Sequence, residues 1–279
     1  MRVAALVIIC VLLAGCGGAR SDRGATTAAR EETHAATAPP SKVRVVELGR
    51  GHRELASADL VVVPRGTPAA QVGAAAARHP AAHFLLIGGS HRRAPAPNVT
   101  GVLFREDEAA YLAGIVAALV TTTEGSADAR VAWVGGRRPA VAHAFARGVH
   151  GIDPHVVVAH GWSETIPALC KEAALDEVAR GASVILTGIG ACADGALAAA
   201  HDQNAVGLSL GDFERPEVAV ERFAADARQG LYHGGEDVVF GIASGAVGVG
   251  TLDPRVPPDA LAEARVVEQE LAAGSRSPR

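Results

Sequence analysis

Val99-Thr100-Gly101-Val102-Leu103-Phe104-Arg105-Glu106-Asp107-Glu108-Ala109-Ala110-Tyr111-Leu112-Ala113-Gly114 reads as a strand, Val99 to Phe104, running into a helix from about Asp107 to Thr122. Upstream, Val43 to Leu48, Leu60 to Val63 and His83 to Ile87 are further strand candidates, the last two bracketing a helix near Pro68 to Arg78. Downstream the alternation continues: strand Arg130 to Val134, helix Pro139 to Val149, strand His155 to Ala159, helix Ile166 to Arg180, strand Ala182 to Leu186, helix Asp194 to Asp202 and strand Ala205 to Leu208. A helix around Val218 to Gln229 precedes two short strands, Asp237 to Ile242 and Ala246 to Val249. Pro257-Pro258-Asp259 opens a closing helix whose Leu261, Ala264, Val267 and Leu271 share one face. Continuous apolar strands bounded by Gly or Pro, alternating with helices, predict an α/β fold with doubly wound parallel sheets covered on both faces.

Composition narrows the function. The 279 residues are 49% apolar and 20% charged with a formal net charge of −4, enough for one large domain or two medium ones. No concentrated basic surface is in prospect, so nucleic acid is not an expected partner. Lys42 and Lys171 are the only lysines. A phosphate-loop lysine or a Schiff base therefore has almost no candidates.

Arg2 followed by the apolar run Val3 to Leu13 is too short to span a bilayer, which takes roughly 20 residues, but fits the core of an export signal. Leu13-Ala14-Gly15-Cys16 resembles the bacterial lipobox, which predicts lipidation at Cys16; an ordinary signal peptide with a chance cysteine is the alternative. Residues 1–16 are thus expected to be signal and lipobox. Two acyl chains on Cys16 would give stable attachment to the membrane. Residues 17–42, rich in Ala, Thr, Ser, Gly, Arg and Pro, read as a flexible tether.

Several stretches together resemble the basic membrane protein family, the purine-nucleoside-receptor-like solute-binding lipoproteins of ABC importers. These are Val99 to Ala118, Val131 to Gly136 followed by Phe145 and Gly148, Gly161-Trp162-Ser163, Gly181 to Gly195, and Gly234-Gly235 through Phe240-Gly241 to Gly250. They fall in the family's order. The resemblance covers nearly all of residues 43–275 and implies a type I periplasmic-binding-protein-like fold of two lobes with ligand between them. One lobe is expected at about 43–104 and 212–235, the other at about 105–211 and 236–275. Departures accompany the matches. The first strand after the tether resembles the family's second, leaving the opening strand and helix without a counterpart. Ile87-Gly88-Gly89 stands where the family has Ile-Asp-Gly, and Gly207-Leu208-Ser209-Leu210-Gly211-Asp212 where it has Gly-x-Asp-x-Asp. The family's pocket lysine is also missing. Trp162 keeps the position of a base-stacking aromatic, and Gly190 that of a loop approaching the ligand. The expected ligand-binding residues are Trp162, Gly190, Ser209, Asp212 and Gly88. Two lost carboxylate anchors, each worth about 1.5–3 kcal/mol, would weaken sugar recognition of the family type by roughly 10²–10⁴-fold.

Enzyme readings fare worse on the same residues. Gly188-Ile189-Gly190-Ala191-Cys192-Ala193 fits a dinucleotide-binding turn, but Ser209 occupies the place of the acid a ribose needs. Gly161-Trp162-Ser163-Glu164-Thr165 lacks the second glycine of a nucleophile elbow. His143, His150, His155 and His160 show no zinc spacing. Export would leave Cys170 and Cys192 as the remaining pair, either a disulfide or two buried thiols. The expectation is a lipid-anchored solute-binding protein on the extracytoplasmic face of the cell membrane. It would have no catalysis, cofactor or metal; its partners would be a nucleoside or related small polar solute, an ABC permease, and the membrane through its lipid. The alternative is a degenerate binding fold serving as an envelope or sensor component without a transport role.

Overall fold

The computed structural model describes residues 42–49, 52–124, 129–163 and 166–277. The expected signal segment, Cys16 and the tether up to residue 41 lie outside the described residues. The chain runs β1 (Val45–Glu47), α1 (His52–Leu55), β2 (Leu60–Val63), α2 (Ala69–Arg78), β3 (His83–Ile87), β4 (Val99–Phe104), α3 (Glu106–Glu124), β5 (Arg130–Gly135), α4 (Pro139–His150), β6 (Val157–Trp162), α5 (Pro167–Ala179), β7 (Ala182–Thr187), α6 (Ala191–Asp202), β8 (Val206–Ser209), α7 (Pro216–Arg228), β9 (Asp237–Phe240) and α8 (Pro258–Ala272). Two parallel sheets result, ordered β1-β2-β3-β4-β9 and β6-β5-β7-β8.

Parallel strands need apolar cover on both faces, and the sequence supplies it in unbroken runs. Val61, Val63, Phe84, Leu85, Val131, Ala132, Trp133, Val134, Val184 and Ile185 are all buried. In the second sheet the order reverses, with β6 on one side of β5 and β7 on the other. Helices α3 and α4 pair with each other, as do α5 and α6. Residues 109–120 of α3 are buried all round, as in a helix enclosed by protein rather than lying on its surface. Its three acidic residues in the first turn, Glu106, Asp107 and Glu108, complement the helix dipole. The α3–α4 crossing depends on Gly114 and Gly148. A Cβ at Gly148 would come within 2.1 Å of the Tyr111 carbonyl oxygen, and one at Gly114 within 2.2 Å of that of Phe145.

Two expectations are corrected. The stretch 236–275, expected in the second lobe, contributes β9 to the first sheet, from Gly101 opposite Asp237 to Phe104 opposite Phe240. Aromatic packing explains the choice: the Phe240 ring lies 6.4 Å from Phe104 and 5.9 Å from Phe223, and is buried. Ala246 to Val249 forms no strand. It meets the residues after β8 through one antiparallel bridge, Glu214 to Val247, and hydrogen bonds from the backbone N–H groups of Arg215 and Gly248 to the carbonyls of Ala246 and Phe213. The chain crosses between the sheets at Arg105, at residues 210–215 and again after Phe240, and one apolar core includes Leu85 and Phe104 of the first sheet with Val131, Trp133 and Leu186 of the second.

Candidate functional site

Open parallel sheets bind ligands beyond the carboxyl ends of their strands, above all where the strand order reverses. In the first sheet the ends of β2 and β3 bring Arg65 and Gly88 together. Gly88 has φ +64°, and a Cβ there would fall 2.0 Å from Arg65 Cζ. The guanidinium thus lies directly over the glycine. Arg65 Nη1 donates to the Gly88 carbonyl at 3.3 Å, and Nη2 donates to Glu214 Oε2 at 2.5 Å. Glu214 is 5% exposed and lies on the crossing from the second sheet back to the first. Burial pushes its carboxyl above the usual range; Arg65 opposes the shift without cancelling it.

At the end of β8, Ser209 and Asp212 satisfy one another. Asp212 Oδ2 accepts the Ser209 N–H at 2.8 Å, while Ser209 Oγ accepts the Gly211 N–H at 2.9 Å, which caps the short 3₁₀ turn Leu210–Phe213. Burial raises the Asp212 carboxyl, the Ser209 hydrogen bond lowers it, and nearby Asp253 raises it again. Asp212 also lines a cavity of about 540 Å³ with Gly207, His201 and Arg255, alongside the edge strand β8. Gly190 is exposed at φ +111° just before α6, with open space where a side chain would be. At the reversal between β5 and β7, Thr187 is fully buried and its Oγ1 has no hydrogen-bond partner among the described residues.

Trp162 ends the other edge strand, β6, and is 41% exposed. His160, two residues earlier on the same face, stacks on it at 5.1 Å, and the Arg137 guanidinium lies 5.5 Å from its ring centroid. Burial holds the His160 imidazole below its ordinary pKa. Gly136, Arg137, Trp162 and Ser163 line a cavity of about 400 Å³. Nearby, a disulfide joins Cys170 at the start of α5 to Cys192 at the start of α6, with Cα atoms 5.4 Å apart. Where β4 passes into α3, a cavity of about 420 Å³ lies against the start of α4. Its charges are internally paired: Arg105 holds Asp107 through Nε at 3.0 Å and Nη2 at 2.8 Å, and Arg138 pairs with Glu106. The hydrogen bond from Arg105 draws the Asp107 carboxyl below the usual range.

The five expected ligand residues all lie at or just beyond strand ends, yet they do not form one cluster. Three strand spacings separate β6 from β8, about 14 Å, so Trp162 and Ser209 stand at opposite edges of the second sheet. Arg65, Glu214, Arg137 and Thr187 were missed. For Thr187, Arg65 and Arg137 the one local signal was their place at, or two residues beyond, a strand's carboxyl end; Glu214, five residues beyond β8, had none.

Comparison with known proteins bears on the family and the fold. The family model for PnrA-like ABC transporter substrate-binding proteins matches residues 69–214, more than half of the chain. A CD4+ T-cell-stimulating antigen of Listeria monocytogenes is 24% identical over 213 residues, covering 63% of this chain and 58% of the antigen. The chain thus spans about 58% of the length of the curated relatives it matches. Among solved structures, an ABC transporter system solute-binding protein from Conexibacter woesei DSM 14684 is similar with a TM-score of 0.56 at 17% identity, over 85% of this chain and 97% of that one. A transcriptional activator of the comK gene from Bacillus halodurans gives 0.59 at 14% identity, over 80% and 81%. Both structural likenesses speak to the fold, a type I periplasmic-binding-protein-like pair of α/β lobes. With the family match covering β3 to β8 and both sheets open at their carboxyl ends, the chain belongs to the PnrA-like family of ABC transporter substrate-binding proteins.

Proposed function

We propose that this protein is the lipid-anchored, extracytoplasmic solute-binding component of an ABC importer. It closes two lobes on a small polar solute and presents the closed form to a permease. The observation that carries the reading is the unpaired hydroxyl of buried Thr187 at the reversal of strand order, beside pairs that join segments following strands of different sheets, Arg65 with Glu214 and Glu106 with Arg138. Leu13-Ala14-Gly15-Cys16 supports the lipid anchor. No described helix is long and apolar enough to cross a membrane. The Cys170–Cys192 disulfide supports an oxidising compartment. A nucleoside is the ligand to test first because Trp162 is exposed, although Arg137 and His160 already lie against its ring.

Closure needs a ligand that touches both lobes more favourably when they are shut. Wild-type protein should partition with membranes and show no free thiol when denatured without reductant. Cys16→Ser should accumulate uncleaved or soluble; persistence of an acylated, membrane-bound form in that variant would refute the anchor. For binding, a true ligand at 100 times its Kd adds about 2.7 kcal/mol of stability and should raise the melting temperature. A second reading, a degenerate module that senses or braces the envelope, is favoured by the self-satisfied Ser209–Asp212 and Arg65–Glu214 pairs. It predicts no shift with any small solute.

A further inference from the structure

The two edges of the second sheet are finished differently. A sheet edge turns alternate N–H and C=O groups outward, where another strand can pair with them. On β8 the outward N–H groups of Gly207 and Ser209 are taken by carboxylates, Asp253 Oδ2 at 3.1 Å and Asp212 Oδ2 at 2.8 Å. On β6 the N–H groups of Val157 and Ser163 donate inward, to the carbonyls of Ala129 and Gly135, so by alternation those of Val158, His160 and Trp162 point outward. These three find no acceptor among the described residues. The same edge gathers apolar surface. Of the large hydrophobic side chains exposed among the described residues, half lie on β6 or at the start of α5: Val157, Trp162, Ile166 and Leu169.

We infer that β6 is where a second copy of this chain docks, its own β6 adding antiparallel across a two-fold axis at His160, so that the two second sheets become one. The outward residues Val158, His160 and Trp162 are symmetric about His160. This register therefore pairs His160 with its own counterpart and Trp162 with Val158 of the second copy, both on the α4 side. A cavity of about 300 Å³ lies on that side, between the His160 and Trp162 rings and small residues of α4, Ala142 and Ala146. On the α5 side, Val157 comes opposite Ser163 of the second copy, next to its Ile166 and Leu169. Charge fits the same register. Arg137, in the turn from β5 into α4, and Asp153, in the turn from α4 back to β6, stand at opposite ends of the α4 face, and neither has an ion pair among the described residues. An antiparallel neighbour brings each beside the other, twice by symmetry. A foreign strand would have to reproduce this pattern, whereas a second copy carries it already. The inference does not depend on the solute-binding reading.

The full chain, purified in mild detergent, is measured by sedimentation equilibrium over a wide range of concentration. Two chains per particle are expected, with tryptophan emission moving to shorter wavelength as the particle forms and Trp162 is covered. His160→Pro removes an N–H that points away from β5, so the ladder within the sheet survives and the variant should be monomeric with unchanged circular dichroism. His160→Cys sets two thiols on residues whose Cα atoms lie about 5.5 Å apart across the axis. A short bismaleimide should join them in intact cells, while Leu231→Cys, exposed beyond α7, stays unjoined. A wild type that is monomeric at every concentration overturns the inference. So does a dimer that His160→Pro retains and His160→Cys fails to crosslink. Crosslinking of His160→Cys to a different protein, with no joined pair of this chain, assigns the edge to that protein and also overturns it. If His160→Pro fails to fold, the contrast between the two cysteine variants decides.

Discussion

Glu214 and Asp237 are both tied to polar neighbours, but their ionisation is shifted in opposite directions. For Glu214 burial dominates, so the folded carboxyl holds its proton more tightly than the unfolded one, whose value is about 4.5. Its stabilising contribution is full below that value and is lost as pH rises through the folded pKa. For Asp237 burial raises the pKa, but hydrogen bonds from Ser90 Oγ at 2.7 Å and from His91 N and Nδ1 at 2.7 and 2.8 Å outweigh it. Its contribution is present above the ordinary 3.8 and is lost as pH falls through the lowered value. Urea unfolding from pH 7 down to about pH 3 should therefore show wild type gaining on Glu214→Gln as pH drops toward 4.5, and losing ground to Asp237→Asn below 3.8. Differences of the same sign in both variants would contradict the assignment. Neither role was legible in the sequence: Arg65 and Glu214 are 149 residues apart, and nothing in Pro64-Arg65-Gly66 sets that arginine above the others.

At the scale of elements, hydrophobic pattern and punctuation located the helices and strands well, because each buries its own apolar run. Lateral neighbours are a different matter. The Phe240 strand, expected in the second lobe, joins the first sheet, where Phe104 and Phe223 pack beside its ring. Helix packing yields a paired test. Gly148→Ala puts a methyl into the Tyr111 carbonyl where α3 crosses α4, and should cost roughly 1–3 kcal/mol. Gly73→Ala, inside α2 with nothing within 4 Å of the new Cβ, should stabilise by about 0.5–1 kcal/mol. Thermal unfolding of the two variants checks the contrast; equal effects would mean that α3 and α4 approach less closely than described.

At the scale of the whole molecule, one core passes through both sheets, and three chain crossings join them. Cooperative unfolding follows. Both tryptophans, Trp133 and Trp162, lie in the second sheet, so fluorescence reports that lobe while far-ultraviolet circular dichroism reports helices of both. The two signals should trace coincident transitions in urea. A fluorescence midpoint displaced from the dichroism midpoint would show lobes that unfold separately. The α/β class, most element positions and the family resemblance were determined by the sequence alone, because periodic burial and turn chemistry are local and survive any tertiary arrangement. Which sheet receives β9, which side chain covers Gly88 and which neighbours Ser209, Asp212 and Arg137 take were decided only by the tertiary structure. Each depends on contacts between residues far apart in the chain, and a guanidinium, a carboxylate or a Phe ring can meet many such partners until the fold selects one.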